Sequence, residues 1–311
     1  MFPRNHRLRF LARWNHNTQA EYAVFHETLA LHVSYRSRTF CLTLILIEML
    51  MFDPQPMAER LLSAHRPGDA LAGMPEHISP TTVLEAYAVQ DALVTLLATK
   101  HGEPAGYKIG CTNAGARALL QVDHPFMGRC FKNGIVSSPA QIQASEMHMT
   151  GIEPEIALRM GADMPTKTTP WNTQDAAEHV AQVMPAIEVV ESRFSTWPAV
   201  GPLGAIADNG VHRVLIVGRA TSDWTRESLD QASVLLQSNG IEVDSGTADN
   251  VDGGPFGALA WLANHLNNRG RQLQTGDIVT TGVMCKIYNG HAGEQLIAHY
   301  GDLGEIQLAI E

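Results

Sequence analysis

The spacing of apolar positions in this chain changes near residue 106. Upstream, apolar residues recur at helical intervals: Met57 to His65 reads as one helix, stopped by Pro67-Gly68. A second helix is predicted from Leu84, Tyr87, Ala88, Val89, Ala92, Leu93 and Leu96. It opens at Ser79-Pro80-Thr81-Thr82 and ends before His101-Gly102. Downstream, short apolar runs punctuated by glycine predict strands over 106–109, 134–137, 153–159, 187–192, 212–217, 234–236, 241–243, 277–281 and 306–310. Helices are predicted between them over 114–120, 173–184 and 256–268. The last is marked by Pro255 near its first turn and Gly270 just past its end. Strands and helices mixed in this way predict an α+β fold: a sheet-rich roll over 106–311 behind a small helical part over 51–105.

Three glutamates interrupt the strand pattern. Glu153 and Glu155 lie in Gly151-Ile152-Glu153-Pro154-Glu155-Ile156-Ala157, and Glu188 lies in Pro185-Ala186-Ile187-Glu188-Val189-Val190. Residues two apart on a strand point to one side, and Pro154 biases Glu153 toward an extended backbone. The two carboxylates are therefore expected to converge, and like charges that close repel unless a cation joins them. A lone carboxylate in the apolar run around Glu188 is costly. One hard divalent cation, Mg²⁺, Mn²⁺ or Ca²⁺, would satisfy all three. Glu191 points to the other face beside Arg193 and is read as solvated or salt-bridged.

Composition narrows the function classes. The chain has 311 residues, 45% apolar and 17% charged, with a net charge of −10. Such a surface repels a phosphate backbone, which argues against nucleic acid. Residues 1–38 run against this trend, with Arg4, Arg7, Arg9, Arg13, Arg36 and Arg38 facing Glu21 and Glu27. The apolar run over 39–51 that follows is too short to span a bilayer and contains Glu48. Residues 1–50 are read as an extension outside the fold, with the working chain starting near Met49, Met51 or Met57; a membrane-surface helix or a targeting segment are the alternatives. Cys41, Cys111, Cys130 and Cys285 show no metal or redox spacing and are read as reduced thiols of a cytoplasmic protein.

Other motifs are shorter. Lys108, inside Tyr107-Lys108-Ile109-Gly110-Cys111-Thr112, is a candidate general acid/base or fixed positive charge. Cys111 has no His or Asp at a telling position and is not read as a nucleophile. Ala207-Asp208-Asn209-Gly210 is a turn whose Asp208 or Asn209 could position a water, and Thr280-Thr281-Gly282 ends a strand where hydroxyls and amides could grip a carboxylate, with Thr281 and Gly282 the choice for the substrate. No dinucleotide fingerprint, P-loop, nucleophile elbow or zinc-peptidase motif occurs.

These segments, in this order, resemble the fumarylacetoacetate hydrolase superfamily, in the branch of 2-keto-4-pentenoate hydratases and 4-oxalocrotonate decarboxylases. The words above are joined by Leu120-Gln121-Val122-Asp123-His124-Pro125-Phe126-Met127-Gly128, by Pro255-Phe256-Gly257-Ala258-Leu259-Ala260-Trp261 and by Gly293-Glu294, over roughly residues 52–311. The resemblance implies a roll of mixed β-sheets, a homo-oligomer, and Mg²⁺ or Mn²⁺ held by Glu153, Glu155 and Glu188. It places the catalytic lysine on Lys108. The implied activity is addition of water to a 2-hydroxy-2,4-dienoate, giving a 4-hydroxy-2-oxo acid in the catabolism of aromatic-derived acids. A decarboxylase, an acylpyruvate hydrolase or a non-catalytic partner subunit are the alternatives. The chain departs from the pattern twice. Phe126 stands where many hydratases carry an acid, and Val211 where they carry a serine. Asp123 and His124 are the polar candidates near the first, with Asp123 the catalytic choice.

Overall fold

The computed structural model describes residues 52–311. The basic segment, the apolar run, Cys41 and the extension expected over 1–50 lie outside the described residues. Helix α1 (Gln55–Ala64) begins behind Pro54, and α2 (Val83–His101) begins at Thr82. There the Thr82 hydroxyl accepts the Glu85 N–H while the Glu85 carboxylate accepts the Thr82 N–H, satisfying two donors that a helix start leaves unpaired. The buried face of α2 runs through Tyr87, Gln90, Leu93 and Leu97, and Leu84, on the far side of the helix, is 78% exposed. Buried Gln90 donates to the carbonyls of Met127 (2.9 Å) and Ile206 (2.7 Å), fixing α2 to the elements behind the site.

The remaining elements follow in chain order: β1 (Pro104–Gly110), α3 (Ala114–Leu120), β2 (Phe126–Phe131), β3 (Ile135–Ser137), β4 (Ala140–Ile142), β5 (Gly151–Met160), α4 (Thr173–Ala177), β6 (Val180–Val190) and α5 (Gly201–Ala207). Then come β7 (His212–Val217), α6 (Arg226–Asp230), β8 (Ser233–Ser238), β9 (Ile241–Thr247), α7 (Gly254–Asn268), β10 (Ile278–Thr280), β11 (Tyr288–Asn289), β12 (Gln295–His299) and β13 (Glu305–Ile310). They form two mixed sheets. An eight-stranded sheet has the order β2-β1-β10-β5-β6-β7-β3, with β11 on the end of β5. A five-stranded sheet has the order β4-β13-β12-β8-β9. Helix α7 buries Phe256, Leu259, Leu262 and Leu266 in the same apolar cluster as Ile152, Ile156 and Leu158 of β5.

The central pair is β5 and β6, antiparallel, with Glu153 opposite Glu188 and Glu155 opposite Ala186. A proline is rare in a central strand because it donates nothing to the ladder. Pro154 is tolerated because its carbonyl, and hence its missing N–H, faces the gap between β10 and β11. There its carbonyl accepts the Met284 N–H at 2.9 Å. On the β6 side the Tyr300 hydroxyl enters the ladder, accepting the Glu155 N–H (3.1 Å) and donating to the Ala186 carbonyl.

One expected element is corrected. The helix predicted over 173–184 is only α4, and the chain then enters β6. Pro185 pushes the residue before it toward extended backbone, β-branched Val180 and Val183 suit a strand, and pairing with the whole of β5 settles the matter. The sequence pattern does not anticipate strands β2, β4, β11 and β12 or helices α5 and α6. Glu191 is buried rather than solvated: it accepts the His148 N–H (2.9 Å) and faces Arg213 at 3.6 Å and Arg193 at 3.9 Å. Among the described residues no helix is long and apolar enough to cross a membrane.

Two glycines let backbone pass close to the site. A Cβ on Gly106 would fall 2.0 Å from the Ile278 carbonyl oxygen, across the parallel β1–β10 pair. A Cβ on Gly128 would fall 2.2 Å from the Asn209 carbonyl oxygen. Neither contact can be relieved by turning a side chain. Gly106→Ala and Gly128→Ala are each expected to cost about 1–3 kcal/mol in urea unfolding. An unchanged midpoint in either variant would show that these strands are not so closely apposed.

Candidate active site

Period-two alternation puts Glu153 and Glu155 on one face of β5, and the β5–β6 register brings Glu188 across from Glu153. One carboxylate oxygen from each of the three lies within 4.8 Å of the others. All three side chains are buried, Glu153 at 9% exposure and the other two at 0%. Lys108 on β1 is buried too, and its Nζ lies 3.0 Å from Glu188 Oε2. Its stem runs over Gly128 and Gly210, where added Cβ atoms would meet it at 3.1 and 3.0 Å.

Each carboxylate has its own donors. Glu155 Oε2 accepts the Gly282 N–H at 2.7 Å and the Thr280 hydroxyl, while its Oε1 is buried without a partner. Glu188 Oε1 accepts a hydrogen bond from His212 Nδ1 at 2.7 Å. Burial lowers the basicity of His212, so the ring is neutral, and the carboxylate acceptor assigns its proton to Nδ1.

Charge does not balance here. Burial raises the Glu153 carboxyl to about 7 and the Glu155 carboxyl well above the usual carboxylate range. Burial would raise Glu188 as well, but Lys108 and the His212 hydrogen bond outweigh it and hold it low. Burial would lower Lys108, but Glu188, Glu153 and Glu155 outweigh it and keep the ammonium protonated. One ammonium faces three carboxylates, and two buried oxygens lack a hydrogen-bond donor: Glu155 Oε1, and Glu188 Oε2, which has only the Lys108 ammonium 3.0 Å away. An all-carboxylate set with an unfilled acceptor fits a hard divalent cation.

Glu153 is the one of the three carboxylates that reaches a cleft of about 680 Å³, walled by residues that include Ile109, Cys111, Asn250, Val283 and Cys285. Asn250 holds the far wall by donating to the carbonyls of Val283 (2.9 Å) and Cys285 (3.1 Å). Burial pushes the thiols of Cys111 and Cys285 up to about 12, so both are neutral and poor nucleophiles.

Of the other predicted site residues, Gly282 alone is brought to this cluster. Asp208 is buried beneath Arg193, accepting its N–H at 2.8 Å and lying 3.5 Å from its guanidinium. Asn209 accepts the Arg129 N–H (2.8 Å) and donates to the Arg129 carbonyl (2.9 Å). Thr281 turns away and donates to the Ile156 carbonyl. Gly282 serves Glu155 through its N–H, so the grip foreseen at this strand end closes on the protein's own carboxylate. Asp123 is exposed and has no hydrogen bond or ion pair to the cluster. Phe126 is buried with its ring against Gly110, and Val211 is buried at φ +58°. Sequence reasoning missed His212 and did not decide between the hydroxyls of Thr280 and Thr281. The strand-end pair Thr280-Thr281 gave a signal but not which hydroxyl faced inward, and His212 gave none.

The family model described as fumarylacetoacetate (FAA) hydrolase C-terminal matches residues 113–310. The chain is 25% identical over 254 residues to a 2-keto-4-pentenoate hydratase of Paraburkholderia xenovorans strain LB400, covering 82% of this chain and 93% of the relative. It is 28% identical over 254 residues to a 2-keto-4-pentenoate hydratase of Paraburkholderia phymatum, covering 81% and 95%. In three dimensions it is similar to 4-oxalocrotonate decarboxylase from Pseudomonas putida G7, a structure complexed with magnesium and adipate. The TM-score is 0.76 at 23% identity, over 83% of this chain and 97% of the other. With its three buried glutamates inside the matched span, the chain belongs to the fumarylacetoacetate hydrolase family.

Proposed function

We propose that the protein is a metal-dependent hydro-lyase that adds water to a 2-hydroxy-2,4-dienoate and releases a 4-hydroxy-2-oxo acid. The observation that carries this is the three-carboxylate cluster with Lys108 beneath an apolar cleft, in a chain whose hydratase relatives match it over most of their length. Glu153, Glu155 and Glu188 would hold one divalent cation, Mg²⁺ or Mn²⁺, which supplies Lewis-acid polarisation of the 2-oxo acid oxygens when bound. Ile109 and Val283 exclude water from the hydrocarbon part of the substrate. The dienol first ketonises, losing its hydroxyl proton and gaining one on the distal carbon. Water then adds to the conjugated alkene at C4, and C3 takes a proton. Both steps develop negative charge near the 2-oxygen. Lys108 does not line the cleft, and its ammonium is held by Glu188, so its role is a fixed positive charge facing that site rather than a proton shuttle.

A decarboxylase of the same family is the second reading, favoured by one observation. Apolar Phe126 packs on Gly110, at the cleft wall, where many hydratases carry an acid. The two reactions leave the same kind of anion, so the products must separate them. With Mg²⁺ present, 2-hydroxypenta-2,4-dienoate is expected to be hydrated, and 4-oxalocrotonate and an acylpyruvate to be left unchanged, as judged by NMR of products. Release of CO₂ from 4-oxalocrotonate without hydration of the dienoate would move the protein to the second reading.

Two substitutions separate the parts. Glu153→Gln is expected to abolish stoichiometric Mg²⁺ binding in calorimetry. Lys108→Ala keeps the cation and loses about 10²–10³-fold in kcat. Full turnover in Lys108→Ala would assign the charge stabilisation elsewhere.

The raised carboxyls also give stability a pH dependence. In the metal-free protein, ionising Glu153 and Glu155 opposes the fold. That penalty is absent below the ordinary carboxylate value and grows as pH rises through about 7, where Glu153 ionises. A dication neutralises the same groups, so the gain in Tm on adding MgCl₂ is expected to be larger at pH 8 than at pH 5.5. Equal gains would mean that the cation binds elsewhere.

A further inference from the structure

Glu188 needs more than a strand to aim it. Its Oε2 is shared with Lys108, and only His212 donates to Oε1. The placement of His212 is built by the backbone. Leu215 lies opposite Glu188, so in a regular ladder Arg213 would share the Glu188 face and His212 would point away. The pairing slips instead: Val189 faces Val214 and Val190 faces His212, so β7 carries one extra residue. Bulges of this kind re-aim side chains, and this one delivers His212 to Glu188.

The turn before it is strained. Asn209, Gly210 and Val211 have φ of +51°, +64° and +58°. A β-branched residue in the left-handed region persists only where its surroundings over-determine it. They do so here. The Val211 carbonyl accepts the Glu191 N–H at 2.8 Å, the His212 carbonyl accepts from the Arg193 guanidinium at 2.9 Å, and Asn209 pairs with both backbone groups of Arg129.

We propose that His212 is a positioning residue for the cation: its Nδ1–H holds Glu188 so that the carboxylate keeps one oxygen turned into the cluster, and the bulge and strained turn exist to hold His212. The proposal rests on the assignment of Glu153, Glu155 and Glu188 as cation ligands made above. Without His212, Glu188 Oε1 is a buried acceptor with no donor, and the carboxylate is free to turn both oxygens to Lys108 and leave the cluster.

Calorimetric titration of the full chain with Mg²⁺, and separately Mn²⁺, tests this. His212→Leu is expected to weaken binding 10–100-fold, as loss of a hydrogen-bond partner behind a ligand does. His212→Asn puts an amide nitrogen where Nδ1 stands and is expected to restore most of the affinity. His212→Gln, one bond longer, is not. If the leucine variant does not fold, the contrast between asparagine and glutamine carries the test. Equal weakening in asparagine and glutamine, or wild-type affinity in leucine, overturns the proposal. If Glu153→Gln abolishes binding while His212→Leu leaves it unchanged, the ligand assignment stands and this inference alone falls. If Glu153→Gln binds like wild type, both fall.

Discussion

Three carboxylates held together in an apolar sheet, with one ammonium against them, form the constraint on which the rest of this structure depends. Two glutamates directly opposite on antiparallel strands repel each other, and burial removes the water that would screen them. The fold answers with directed donors. Thr280 and Gly282 hold one oxygen of Glu155, and Lys108 and His212 hold the two oxygens of Glu188. These groups come from β1, β7 and the end of β10, three strands far apart in sequence. The sheet order is what brings them to β5 and β6, and the close passes at Gly106 and Gly128 let the Lys108 strand and stem lie flat enough to reach.

A second buried network stands behind the first. Arg193 lies between Asp208 and Glu191, grips the His212 carbonyl, and is itself 1% exposed. Asp208 and Asn209 belong here. They shape the turn that supports Lys108 and His212: Asp208 Oδ2 accepts the Arg193 N–H, and the Asn209 amide pairs with both backbone groups of Arg129.

How much of this was legible in the sequence follows from the range of each interaction. Glu153 and Glu155 are two apart, and strand periodicity alone puts them together. Glu188 stood out because a carboxylate in an apolar run demands a partner. Lys108 stood out in the same way. The donors were not legible because each depends on register. Thr280 and Thr281 are equivalent in a linear string, and only the β5–β10 pairing decides which hydroxyl meets Glu155. His212 is masked by a one-residue slip that reverses the faces of β7, a feature that no local pattern records. The helix expected over 173–184 failed for a related reason, since the spacing of Ala176, Val180, Val183 and Met184 suits a helix face, and only the pairing with β5 shows that the last three belong to a strand. The turn at 207–210 carried the right composition for function and was used for support.

The unequal exposure of the three glutamates gives the site a direction. Glu155 and Glu188 are sealed, and Glu153 forms part of the cleft wall. An ion or substrate arriving from solvent therefore meets Glu153 first, and chemistry at the cluster is confined to that side. The wall around it offers apolar carbon, amides and two thiols whose burial keeps them protonated, together with Asp249, Lys286 and Asp252, the last paired with Arg117 at 2.6 Å. Lys108 acts from within the protein through its charge. A site arranged in this way can stabilise an anion built on the cleft side. That property serves hydration and decarboxylation of 2-oxo acids alike, so what divides them lies outside the charge cluster, in the groups that line the cleft.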